Sequence, residues 1–224
     1  MISTSKTDLC VADVSASSTE RGGAAPTVEL IDAKLATGAT LAMDIRLPTR
    51  VRFMSAPEYR IVSRVFGDTL PYRVRILITN AAGVDGRPFT VPTSLLSTVV
   101  GMNPVTFLSN LTLGYLASFV NVAYLINVGA DYGALDGSSK DVLVHETAHV
   151  WQGKNSVFAL SYVFNSVYNQ CVRANAYAYS PGQAWSSYNV EQQASIVEDW
   201  FMSGEPPSGN LYPYIVNHVR TGDA

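Results

Sequence analysis

The stretch "LVHETAHVWQGK" at residues 143–154 decides how this chain is read. His145, Glu146 and His149 match the spacing H-E-x-x-H. A helix turns once per 3.6 residues, so side chains at i and i+4 stack on one face and two imidazoles point at one ion. Neutral imidazole is a good ligand for zinc, which favours four tetrahedral ligands. Glu146 sits about 100° round the helix from His145, where its carboxylate reaches a water on the metal without ligating the metal. The expectation is one zinc ion held by the two histidines. Its bound water, activated by Glu146 as general base, then attacks a peptide carbonyl.

The surrounding residues support a helix. Ser138 or Ser139 can cap it, Asp141 suits its first turn, and Gly153 is placed to end it. Val142, Leu143, Val144, Ala148 and Val150 offer packing surface. Three fixed residues coincide by chance in roughly one chain in a few hundred. Two of the three histidines in the whole chain fall in the motif. The competing reading is a surface helix with two unligated histidines.

A catalytic zinc keeps three protein ligands and one open position. The remaining histidine, His218, lies 69 residues beyond His149 (218 − 149). A third histidine immediately behind the motif is absent, which points to a carboxylate. Glu191 and Glu198 lie seven residues apart on an expected helix and share a face. Glu191, in the first turn and followed by the small Ala194 and Ser195, is the expected ligand. Glu198 is the alternative, or else a residue that orients a histidine through its free ring nitrogen. Tyr177, Tyr179, Tyr188 and His218 are candidates to stabilise a developing oxyanion.

With 224 residues, 47% hydrophobic and 15% charged, the chain can bury a full core as one domain. We expect a flexible N-terminal arm over residues 1–27, rich in Ser, Thr, Ala and Gly, and a single domain over 28–224. A net charge of −3 gives no reason to expect nucleic acid. Seven arginines between Arg46 and Arg75, against Glu58 and Asp68, form either a basic face or solvated element edges. Cys10 and Cys171 belong to no C-x-x-C pair, so a thiolate site is not expected. The N-terminus lacks the apolar run of a Sec signal peptide, so the expectation is a cytoplasmic protein or export by another route. Residues 111–128 are apolar enough to suggest a membrane span. Asn121, Asn127, Ser118 and Gly114 interrupt them, and no span is expected.

Further elements follow from local signals. "SAPEYRIVSRVFG" reads as a helix, with Ser55 as cap, Pro57 in the first turn, Glu58 completing a capping box and Gly67 as the stop. "YRVRILIT" (72–79) and "NVAYLINVG" (121–129) read as strands. Another helix is expected near 156–172. "NVEQQASIVEDWF" is a helix capped by Asn189 with Gln192 as its box partner.

The H-E-x-x-H helix followed by a glutamate-bearing helix resembles the gluzincin branch of the zincin metallopeptidases. "RVFGDTLPYRVRI", "GRPFT", "YLINVG", "HETAHVWQ" and "YNVEQQASIVEDWF" together resemble small, uncharacterised bacterial zincin-like proteins, some associated with secretion or injection systems. The resemblance covers residues 58–203. It implies an α+β, zincin-like fold with a small mixed sheet packed on the HExxH helix and a mainly helical C-terminal half. It implies zinc ligation by His145, His149 and Glu191 and a general base at Glu146, but no substrate; a peptide or protein substrate is expected from the hydrolytic chemistry of the motif instead. In such folds a sheet edge pairs with extended peptide. Residues 121–129 are either that edge or an interior strand. Two other functions stay open: a non-catalytic zincin-fold binding or structural module, and a membrane-associated metalloprotease.

Overall fold

The order Ser-Ala-Pro-Glu starts the first helix as its chemistry dictates. In the computed structural model the Ser55 side chain accepts from the Glu58 amide, and Glu58 Oε2 accepts from the Ser55 amide at 2.7 Å. The helix, α1, runs Ala56–Phe66, and Gly67 closes it at φ +59°, a left-handed value that favours glycine. The structure describes residues 49–81, 87–93, 122–156 and 176–224, together with the backbone of five short strands before them.

Those strands are β1 (Val11–Ala16), β2 (Thr27–Glu29), β3 (Ile31–Leu35), β4 (Thr40–Leu41) and β5 (Asp44–Arg46). They pair in the orders β1-β3-β4 and β2-β5. Within the arm expected at residues 1–27, Val11–Ala16 is therefore a strand, antiparallel to Ile31–Leu35. The rest of that stretch, Thr27 apart, lies outside the described residues.

The fold is α+β. Strands β6 (Val51–Phe53), β7 (Ile76–Thr79), β8 (Phe89–Pro92) and β9 (Tyr124–Asn127) form a mixed sheet in the order β6-β7-β9-β8. Pairing is antiparallel for β6/β7, parallel for β7/β9 and antiparallel for β8/β9. Every residue of β7 and β9 is buried, as central strands covered on both faces must be. This decides between the two readings of residues 121–129. They hold an interior strand, and among the described strands the edges of the sheet are β6 and β8.

The strand expected over 72–79 is shorter than its alternating pattern suggests. Arg73–Arg75 wind into a 3₁₀ turn, with the Arg75 amide donating to Tyr72 O at 2.8 Å. The cause is the neighbour. β6 pairs only from Val51↔Thr79 to Phe53↔Leu77, and the Met54 amide then donates to Ile76 O, so β6 does not continue past Ile76.

The motif helix, α2, runs Lys140–Asn155, and α3 runs Val190–Met202. Ser139 is the N-cap of α2, but its hydroxyl donates to Asp131 Oδ1 at 2.7 Å instead of capping the amides. The helix does not stop at Gly153. Lys154 Nζ donates to Leu70 O and Asn155 Nδ2 to Thr69 O, so tertiary contacts outweigh the glycine and hold a further half-turn. α2 has no single apolar stripe because ten of its residues, Leu143, Val144 and Glu146–Gly153, are buried. It packs against α1, α3 and β8. The chain ends in a helical turn, Tyr212–Tyr214, that widens into a π turn over Ile215–Val219. The helix expected near 156–172 lies outside the described residues apart from Ser156, which ends α2. No helix among the described residues is long and apolar enough to cross a membrane.

Candidate metal centre

His145 and His149 sit one turn apart on α2, their rings edge to face at 5.1 Å between centroids. α3 supplies the third group. Asn189 Oδ1 accepts from the Glu191 and Gln192 amides, and Gln192 Oε1 accepts from the Asn189 amide, so a capping box fixes the first turn. Ala194, fully buried, lets the two helices approach. Glu191 thereby enters the space between them, 1% exposed. Its Oε2 lies 3.3 Å from His145 Nε2 and 3.4 Å from His149 Nε2. Ligand atoms of these three residues all fall within 4.8 Å of one another, an arrangement able to hold a metal ion.

The outward nitrogens of both rings are also held. His145 Nδ1 is 2.9 Å from Glu198 Oε2, and His149 Nδ1 is 2.8 Å from Gln152 Oε1. Gln152 is anchored in turn, its Nε2 donating to Val190 O and Gln193 Oε1. With each Nδ1 turned outward to its partner, each Nε2 faces Glu191, and a neutral ring would offer its lone pair there to a metal ion. The two glutamates thus separate: Glu191 faces both histidines, and Glu198 reaches only the back of one ring.

Glu146 points to the edge strand. Its Oε2 accepts from the Thr90 hydroxyl of β8 at 2.7 Å, and the same hydroxyl lies 3.2 Å from the Glu146 carbonyl oxygen. Glu146 is 4% exposed. Burial holds it above the usual carboxylate range, aided by the negative charge of Glu191 and opposed by the two histidines and the Thr90 bond. Burial by itself would lower His145, but its bonds to Glu191 and Glu198 outweigh that and push it up to about 10. His149 is raised by Glu191 against the same opposing burial. Three carboxylates around two imidazoles call for positive charge, which protons supply in the absence of a metal ion.

Of the four candidate oxyanion donors, Tyr177 alone is placed against a histidine of this group, its ring 5.8 Å from that of His145. Arg87 hydrogen-bonds its hydroxyl, and burial raises its pKa, keeping it a phenol. The Tyr179 hydroxyl donates to Asp199 at 2.6 Å. The Tyr188 hydroxyl donates to Ser180 O at 2.7 Å and meets Tyr214. His218 stacks on Trp185 and pairs with Asp223.

Sequence reasoning does not find Thr90, Gln152 or Arg87. Gln152 is within its reach, because it lies three residues after His149 on the same helix. Thr90 is 56 residues before Glu146. Only the pairing of β8 with β9 brings it there, and no local pattern announces it.

No protein-family model matches the chain, and no solved structure matches it. Over 99 residues it is 29% identical to the type VI secretion system spike protein VgrG2b of Pseudomonas aeruginosa, a match that takes in 42% of this chain. The chain spans about 10% of the length of that curated relative.

Proposed function

We propose that the protein is a zinc-dependent peptide hydrolase with a zincin-like active site. His145, His149 and Glu191 would hold the ion. The observation that carries this reading is the shared carboxylate oxygen of Glu191, 3.3 and 3.4 Å from the two Nε2 atoms. These separations exceed the ~2.7–2.9 Å of a charge-assisted hydrogen bond. They match the ligand–ligand spacing of roughly 3.3–3.4 Å around a tetrahedral ion with bonds of ~2.0–2.1 Å. The donor set of two imidazoles and one carboxylate suits zinc.

When bound, zinc supplies Lewis-acid polarisation and makes a coordinated water acidic near neutral pH. The chain's own residues do the rest. Glu198 and Gln152 hold the histidine tautomers. Glu146 would be the general base, its Oε2 held by Thr90. Burial brings this carboxylate closer to the neutral range, where a general base works best. Tyr177, its hydroxyl oriented by Arg87, is the hydrogen-bond donor best placed to meet developing negative charge near His145.

The test is a digest of a diverse peptide library by zinc-loaded and by zinc-stripped protein. Cleavage that disappears on stripping and returns with zinc is expected. Zinc binding at one equivalent without cleavage of any peptide favours a non-catalytic metal-binding module. The partial likeness to a type VI secretion spike protein supports a place beside such a secretion system, which co-purification with a spike protein from a producing strain would check.

A further inference from the structure

An open cleft of about 650 Å³ adjoins the metal cluster. Its wall includes Tyr177, Tyr179, Ser195, Glu198 and Asp199. Two observations tie it to the centre: Glu198 reaches His145 Nδ1 at 2.9 Å, and the Tyr177 ring lies 5.8 Å from the His145 ring. Ser195, Glu198 and Asp199 are spaced i, i+3 and i+4 on α3, so they share one face. The small serine leaves room beside the two carboxylates.

The chemistry of this wall is specific in sign. Among the described residues, both charged groups of the lining are negative. Tyr179 donates its hydroxyl hydrogen to Asp199, which holds that side chain in the wall. Arg87, the cation that reaches Tyr177, is not part of the wall. Two phenol rings beside two carboxylates suit a long side chain with an apolar stem and a cationic tip. The stem lies along the rings, and the tip gains cation–π and charge-assisted hydrogen bonds. A substrate carboxylate would meet like charge in the same place.

Resting on the hydrolase reading, we propose that this cleft receives a lysine or arginine side chain of the peptide substrate, at one fixed position near the scissile bond. Asp199 is the residue that sets the preference. Glu198 adds charge while also positioning His145.

The experiment uses zinc-loaded protein carrying Glu146→Gln, so that peptides bind without turnover. Capped heptapeptides carry lysine, norleucine or glutamate walked through each position, and binding is read by calorimetry. At one position lysine should bind about tenfold more tightly than norleucine, with glutamate weakest. Asp199→Asn on the same background should bring the lysine-to-norleucine ratio close to one with zinc content unchanged. Asp199 is exposed, and asparagine can still accept the Tyr179 hydrogen bond, so the fold should persist. As a second measurement, the preference should shrink as salt is raised. Equal binding of lysine and norleucine peptides at every position, no binding of any peptide, or a preference that survives Asp199→Asn overturns the assignment. Cleavage by the unmodified protein is assayed in parallel. Cleavage without a basic preference removes the cleft assignment and leaves the hydrolase. A basic preference without cleavage does the reverse.

Discussion

The hydroxyl of Thr90, on the edge strand β8, lies 2.7 Å from Oε2 of Glu146 on the motif helix. This bond couples the sheet to the proposed base and stabilises its charged form. Thr90→Val keeps the shape and removes the donor. Glu146, already raised by burial, should then rise further. The acidic limb of kcat/KM should move to higher pH, because the base must be deprotonated to act. Losing a hydrogen bond to a charged group should also cost about 1–3 kcal/mol of stability. An unmoved acidic limb would show that Thr90 does not tune the base.

Glu191 and Glu198 touch the same ring from opposite sides and should behave differently. Glu191→Gln removes a ligand and should abolish tight zinc binding. Glu198→Gln should weaken it by ~10–100-fold or less, since an outer partner only orients the imidazole. Zinc titration against a competing chelator measures both. Retention of zinc by the Glu191 variant alongside loss from the Glu198 variant would reverse the assignment.

Much of this site is legible in the sequence because it is local. The two histidines and Glu146 follow from helical spacing, and the capping residues Asn189 and Gln192 are enough to put Glu191 in a first turn. Choosing between Glu191 and Glu198 is harder, because both lie on one face. What separates them is the axial offset between α2 and α3, a property of packing. The edge of the sheet is not legible at all. The segment Tyr124–Asn127 is apolar enough for an edge or an interior position, and only the pairing of Phe89–Pro92 along it makes it interior. Gly153 fails as a stop because Lys154 and Asn155 find carbonyl partners more than eighty residues away in sequence.

The acidity of His145 sets two pH effects. Without metal its pKa is raised from the ordinary 6.5 to about 10. The stabilisation this represents is complete below pH 6.5 and is lost as pH rises toward about 10. The thermal midpoint of zinc-free protein should therefore fall across that window. Ligation needs a neutral ring, so zinc must displace the proton. Binding between pH 7 and 9 should release about one or two protons, measured by calorimetry in buffers of different ionisation enthalpy. Absence of proton release would contradict the ligand assignment.

Away from the site, Glu58 joins the capping box of α1 to a bidentate pair with Arg52, both bonds at 2.6 Å. Burial would raise Glu58, but the Arg52 and Ser55 bonds hold it below the usual carboxylate range. Its contribution is therefore present above the ordinary pKa and lost as pH falls through the depressed one. Arg52 is 30% exposed, so part of the pairing is screened. Glu58→Ala should cost about 2–3 kcal/mol, the cap and the broken buried pair together. Denaturant unfolding at neutral pH tests it, and a change below about 0.5 kcal/mol would show the pair to be inert.

The decisive variant is Glu146→Gln. Its Oε2 is held by Thr90, and it is not one of the three clustered ligand residues, so zinc content should equal that of the unmodified protein. Glutamine keeps the volume, and its amide oxygen can accept the Thr90 hydrogen bond, so the fold should hold. It cannot take a proton. Loss of a general base typically lowers the rate by ~10²–10⁴-fold, and by more if the same group later protonates the leaving amine. A folded, zinc-replete and inactive protein is the expected result, read by metal analysis, circular dichroism and cleavage of a substrate from the library digest. Equal cleavage by variant and unmodified protein would remove Glu146 from the mechanism. Loss of zinc in the variant would instead make Glu146 a ligand, and the three-residue cluster would have to be redrawn around it.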